Sequence, residues 1–159
     1  MSIIGTRVDG RLIHGQVANL WVTKLQISRI MVIDDDVAES QIEKSGLKLA
    51  TPAGVRLSVL PVAKAADHIL AGKYDSQRLL IVVKEPKYLV QLVEAGVQLA
   101  DVNVGTLARD NAQKTVTHQI SVTAEDIADF KQLDEKGVHL FAQLNPSVKA
   151  EDFMKLLQS

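Results

Sequence analysis

Residues 7 to 17 read Arg7-Val8-Asp9-Gly10-Arg11-Leu12-Ile13-His14-Gly15-Gln16-Val17, placing four ionisable groups and two glycines in one short run. The neutral imidazole of a residue such as His14 is a competent nucleophile near neutral pH. Arg7 and Arg11 offer planar forks suited to phosphoryl oxygens. Asp9 could orient one ring nitrogen of His14 or hold an arginine. Gly10 and Gly15 permit conformations and close approaches that a side chain would hinder. No Ser, Thr or Asp stands directly before the helix that follows. The first N–H groups of that helix, at Gly15 and Gln16, are therefore expected to face an external anion at the positive end of the helix dipole. Together the parts describe a histidine able to accept a phosphoryl group and a cradle able to hold it. They require no metal and no cofactor. The same parts also suit a non-catalytic module that binds an anion or a sugar phosphate reversibly, and the residues alone leave both readings open.

The elements that must position this run follow from periodicity. Strands are expected at Ile3–Val8, Arg29–Ile33, Val55–Leu60, Leu79–Lys84, Asp101–Val104, Lys114–Ile120 and Val138–Leu144. Between most of them the apolar spacing has the helical period. Val17, Leu20, Trp21 and Leu25 form one such stripe, broken only by Lys24, and Val62, Ala65, Ala66, Ile69 and Leu70 form another. Asp36 with Glu39 reads as an acidic capping box for the second helix. Pro61 and Pro86 suit first helical turns, and Thr123 with Asp126 opens a later helix that Gly137 closes. The stretch from Gly105 to Ile120 is too polar and broken for a helix, and reads as a loop followed by a short strand, an antiparallel edge. Alternation of this kind implies a single α/β domain over 1–159. Its architecture is a Rossmann-like, mostly parallel sheet of about six or seven strands with helices on both faces. Ligands of such sheets bind outside the carboxyl ends of the strands, near a switch in strand order.

The run from Arg7 to Val17, followed by Trp21, resembles the active-site signature of the IIB components of the sugar phosphotransferase system, in the mannose/fructose/sorbose family. The resemblance continues through Val32-Ile33-Asp34-Asp35-Asp36-Val37-Ala38, Asn103-Val104-Gly105 and the region from Leu133 to Gly137-Val138. It implies a phosphocarrier that receives a phosphoryl group from the phosphohistidine of a IIA partner. It then passes the group to a sugar entering through the membrane subunits IIC and IID. On that resemblance the acceptor is Nδ1 of His14, Arg11 binds the phosphoryl oxygens, Asp9 supports, and Arg7 has a weaker electrostatic part. The implied location is the cytoplasm, with recruitment to the inner face of the membrane by IIC and IID. The chain departs from the family at Thr106-Leu107-Ala108-Arg109, where a glycine- or asparagine-containing turn is common. It departs again at Gln143-Leu144-Asn145-Pro146, which replaces a valine-proline ending. Both departures bear on partner fit or sugar class.

Composition narrows the alternatives. The chain has 159 residues, 47% of them hydrophobic and 23% charged, as in a soluble domain with a sizeable core. Its net charge of -1 lacks the footprint of a general nucleic-acid binder. With no cysteine, disulfides, thiol catalysis and cysteine-ligated zinc are excluded. No apolar run reaches a membrane span and no signal peptide is visible, so the chain is expected in the cytoplasm. The acidic triplet Asp34-Asp35-Asp36 reads as a helix cap in Asp36 and a brace for the arginine loop in Asp34 or Asp35. His68 is expected in solvent, His118 packed on a strand face, and His139 without a partner. No histidine pair has metal-ligand spacing. The apolar helix faces serve either a core or a homo-oligomer.

Overall fold

The computed structural model describes residues 2–159. The elements run β1 (Ile3–Val8), α1 (Gly15–Leu25), β2 (Arg29–Ile33), a single 3-10 turn (Val37–Glu39), α2 (Gln41–Ala50), β3 (Arg56–Leu60), α3 (Val62–Leu70), β4 (Leu79–Val83) and α4 (Lys87–Glu94). They continue with β5 (Asp101–Val104), β6 (Lys114–Thr117), β7 (Ile120–Val122), α5 (Ala124–Glu135), β8 (His139–Ala142), β9 (Glu151–Asp152) and α6 (Phe153–Gln158). The main sheet has seven strands in the order β3-β2-β4-β1-β5-β8-β9. Every pairing in it is parallel except β8 with β9.

Alternation of side chains along each strand feeds two separate cores. Met31, Ile81, Val83, Val102 and Val104 pack against Ala65, Leu89, Leu92, Phe130 and Phe153 on one face. Ile30, Val32, Leu80 and Val82 pack against Trp21 and Leu47 on the other. Helices therefore cover both faces, and the expected α/β architecture is the one observed. The chain leaves β1 for α1 on one face and leaves the neighbouring β4 for α4 on the opposite face. The crevice between the carboxyl ends of these two strands is the switch point, and the run from Asp9 to His14 occupies it.

Several local expectations need correction. Asp36 does not open α2; its side chain makes no cap, and Ser40 Oγ accepts from Glu43 N at 3.2 Å instead. Pro61 and Pro86 occupy the N-cap positions of α3 and α4, one residue before the first turn. Leu20 and Leu70 fall off their stripes and are exposed. The expected strand Lys114–Ile120 is a hairpin of β6 and β7, standing as its own two-stranded sheet. Its turn puts His118 in solvent, whereas Ile120 and Val122 enter the core. The Thr123–Asp126 capping box is present, and Gly137 follows α5 with a left-handed φ of 87°.

Candidate functional site

The loop after β1 is shaped by its own backbone. Leu12 N donates to Asp9 O at 2.9 Å, and Gly10 N donates to Thr106 O at 2.7 Å, tying the loop to the segment after β5. Leu12 takes φ 59° and Gly15 φ 47°. The first of these values is costly for a leucine and the second is natural for a glycine. Extended backbone at His14 then makes it the N-cap residue of α1, and no side chain caps that helix. The amide groups of Gly15 and Gln16 stand at this uncapped, exposed end.

Asp9 is the centre of the site and is fully buried. Its Oδ1 accepts from the Arg11 amide at 3.0 Å. Its Oδ2 accepts from Nε and Nη2 of Arg7, at 3.2 and 3.0 Å, and lies 2.9 Å from Nε2 of His14. An ionised carboxylate only accepts, so Nε2 is the ring nitrogen that carries the proton. Nδ1 has no partner among the described residues, in a side chain that is 23% exposed. The ring is therefore neither sealed in nor free to turn over.

The arginines part company here. Arg11 is exposed, and its side chain makes no ion pair or hydrogen bond among the described residues. Arg7 is 4% exposed. Besides Asp9, it donates from Nη1 to Asn103 Oδ1 and to Gln143 O (3.0 Å), and from Nη2 to Leu144 O (2.8 Å). It also lies over the Trp21 ring, 5.5 Å from its centroid. All its N–H groups are engaged, so the expected phosphate-binding part for Arg7 is revised. No donor of Arg7 remains for an incoming oxygen, and its part is to hold Asp9. Burial lowers the Arg7 guanidinium from its ordinary value, and the charge and hydrogen bonds of Asp9 oppose that shift.

The comparisons with known proteins bear on the whole chain. A sequence model of the PTS system sorbose subfamily IIB component matches residues 3–159. The chain belongs to this family. This IIB component is 34% identical over 159 residues to the fructose-specific EIIB component of Bacillus subtilis, covering 100% of this chain and 98% of that protein. It is 36% identical over 156 residues to the mannose-specific EIIAB component of Escherichia coli K12, covering 96% of this chain and 48% of that protein, so it spans about half of that relative's length. The crystal structure of the IIBSor domain of the Klebsiella pneumoniae sorbose permease superposes with a TM-score of 0.94 at 29% identity, covering 99% of this chain and 97% of that one. Among the described residues, no helix of this IIB component is long and apolar enough to cross a membrane.

The remaining candidates separate cleanly from the site. Asp34 Oδ1 accepts from the Asp36 and Val37 amides, and Asp35 Oδ1 from the Val62 amide at 2.8 Å. Neither braces the arginine loop, as had been expected of one of them. His68 is half-buried beside the Tyr74 hydroxyl (3.3 Å), not in open solvent. His139 does have a partner, Asp101, at 3.2 Å across β5 and β8. What the sequence reading missed is the set of acceptors around Arg7. Asn103 was visible in a strand-ending motif. The carbonyls of Gln143 and Leu144, in contrast, carry no side-chain signal.

Proposed function

We propose that this IIB component is a phosphocarrier in which Nδ1 of His14 takes a phosphoryl group from the phosphohistidine of a IIA partner. It gives the group to a sugar hydroxyl presented by the IIC and IID membrane subunits, which recruit it to the inner face of the membrane. One observation carries the reading: Asp9 engages Nε2, and Nδ1 of this partly exposed side chain has no partner among the described residues, which leaves it the ring nitrogen for an incoming phosphorus. In the first step the Nδ1 lone pair attacks phosphorus, the N–P bond of the donor breaks, and the donor imidazole takes back its electron pair. In the second step the sugar oxygen attacks phosphorus in line, the Nδ1–P bond breaks, and the hydroxyl proton is released to solvent. Because Asp9 keeps the proton on Nε2, the departing ring leaves as neutral imidazole, a far better leaving group than imidazolate.

The surroundings supply charge without a metal ion. In this reading the Arg11 fork and the uncapped amides of α1 are the donors that take up phosphoryl oxygens, which suits an exposed guanidinium with no other partner among the described residues. Asp9 would repel a phosphoryl group on its own, but it sits on the far nitrogen and its charge is matched by Arg7. The test is intact mass at alkaline pH after incubation with phosphorylated upstream proteins. The wild type gains a phosphoryl group of about 80 Da and His14→Ala does not. Reversible binding with no covalent gain in the wild type would instead identify an anion- or sugar-phosphate-binding module. Acid-labile phosphate on His14→Ala would move the acceptor elsewhere.

A further inference from the structure

A guanidinium rides on a long flexible stem, so Arg7 aims at Asp9 only if something fixes the far edge of its fork. Asn103 on β5 stands opposite Arg7 in the β1–β5 register, and its Oδ1 accepts from Nη1. The amide is itself fixed, because Nδ2 donates at 3.0 Å to the Gln143 carbonyl that also receives Arg7 Nη1. Asn103 makes no hydrogen bond to His14 among the described residues. Its connection to the ring runs through Arg7 and Asp9.

We propose that Asn103 is a positioning residue for the phosphoryl transfer described above, locking Arg7 in the orientation that directs Nε and Nη2 at Asp9 Oδ2. This rests on His14 being the phosphoryl acceptor. With Arg7 in place, a matched carboxylate holds the Nε2 proton of His14 without calling for a second positive charge. With Arg7 turned away, Asp9 is a fully buried anion whose nearest remaining cation would be the ring itself. The imidazole then takes up a second proton, which goes on Nδ1 and consumes the lone pair that must attack phosphorus. Asn103 lines a cavity of about 320 Å³ with Trp21 and Phe141. Shortening its side chain therefore enlarges an open space instead of hollowing the core.

The test uses Asn103→Ala and Asn103→Asp in the full chain. The aspartate keeps the size but turns an oxygen toward the Gln143 carbonyl and offers Arg7 a rival anion. Inorganic phosphoramidate serves as the phosphoryl donor: its N–P bond breaks, ammonia leaves, and Nδ1–P forms, with no docking step to confuse the rate. We expect both variants to gain phosphoryl about ten-fold more slowly than the wild type, the scale of one lost hydrogen bond. We also expect the ¹⁵N ring signals of His14 to move from the Nε2–H tautomer toward imidazolium. A wild-type rate in either folded variant overturns the proposal. So does a slower rate with an unchanged ring spectrum, which is what a merely structural role gives. Loss of folding in both variants overturns it too, by making Asn103 a residue of the fold. A wild-type protein that never carries phosphate on His14 is a different result, and it refutes the carrier reading itself.

Discussion

The Oδ2 oxygen of Asp9 lies 2.9 Å from Nε2 of His14 and takes two N–H groups from Arg7 as well. One buried oxygen thus sets the tautomer of the ring and matches a buried cation. The two arginines of the motif, alike in sequence, consequently have opposite environments: Arg7 is buried with every donor engaged, and Arg11 is exposed with no side-chain partner among the described residues.

That division predicts opposite responses to truncation. Arg7→Ala leaves Asp9 buried without its cation, and should destabilise the fold by about 3–5 kcal/mol, as breaking a buried pair does. Arg11→Ala should leave the melting temperature at the wild-type value while slowing phosphorylation of His14. Thermal denaturation beside a rate measurement on both variants checks this; a stable Arg7→Ala or a strongly destabilised Arg11→Ala contradicts it.

Gly105 is needed for space. A Cβ there would overlap the Arg7 guanidinium, although the glycine backbone has no left-handed φ to explain it. Gly105→Ala should therefore cost about 1–3 kcal/mol by overpacking. It should also slow phosphorylation, because the atom displaced is the one that holds Asp9. Urea denaturation of the variant measures the cost, and a midpoint equal to that of the wild type would show that Arg7 has room to spare.

Asp129, on α5, offers a test of charge placement. Burial pushes its carboxyl above the ordinary value, with Asp126 adding to the shift, Lys87 opposing it, and Glu125 and Glu85 adding further. A carboxyl that holds its proton more tightly when folded favours the folded state at low pH. That advantage is lost as pH rises through the raised value. Asp129→Asn should accordingly raise the melting temperature at pH 7. The gain should shrink toward nothing below about pH 4, the ordinary carboxyl range, where Asp129 is protonated in both states. A gain that persists unchanged in acid would assign the effect to something other than charge.

Features carried by neighbours in sequence were legible before the fold was known. The Thr123–Asp126 capping box, the all-apolar Leu79–Val83 strand and the uncapped start of α1 depend on residues a few positions apart. Two local patterns compete before α2: Asp36 with Glu39 resembles a cap as closely as Ser40 with Glu43 does, and only the second pair forms one. The duty of Arg7 was hidden for a different reason. Its acceptors come from residues 103, 143 and 144, brought beside β1 only by the sheet order, and two of them are backbone carbonyls. The end of β8 at Ala142 belongs to the same arrangement, since the chain leaves the sheet there and delivers those carbonyls to the site. His118 lies in a hairpin turn whose flanking residues keep a strand-like alternation, so the pattern alone does not mark the turn.

The most direct measurement is the position of the phosphoryl group on the ring. Protein labelled with ¹⁵N histidine, phosphorylated and held at alkaline pH, reports by ³¹P and ¹⁵N NMR which nitrogen of His14 is bonded to phosphorus. The hydrogen bond from Nε2 to Asp9 predicts phosphorus on Nδ1, with Nε2 still protonated. Phosphorus on Nε2, or a phosphorylated protein whose His14 ring is unmodified, would contradict the account.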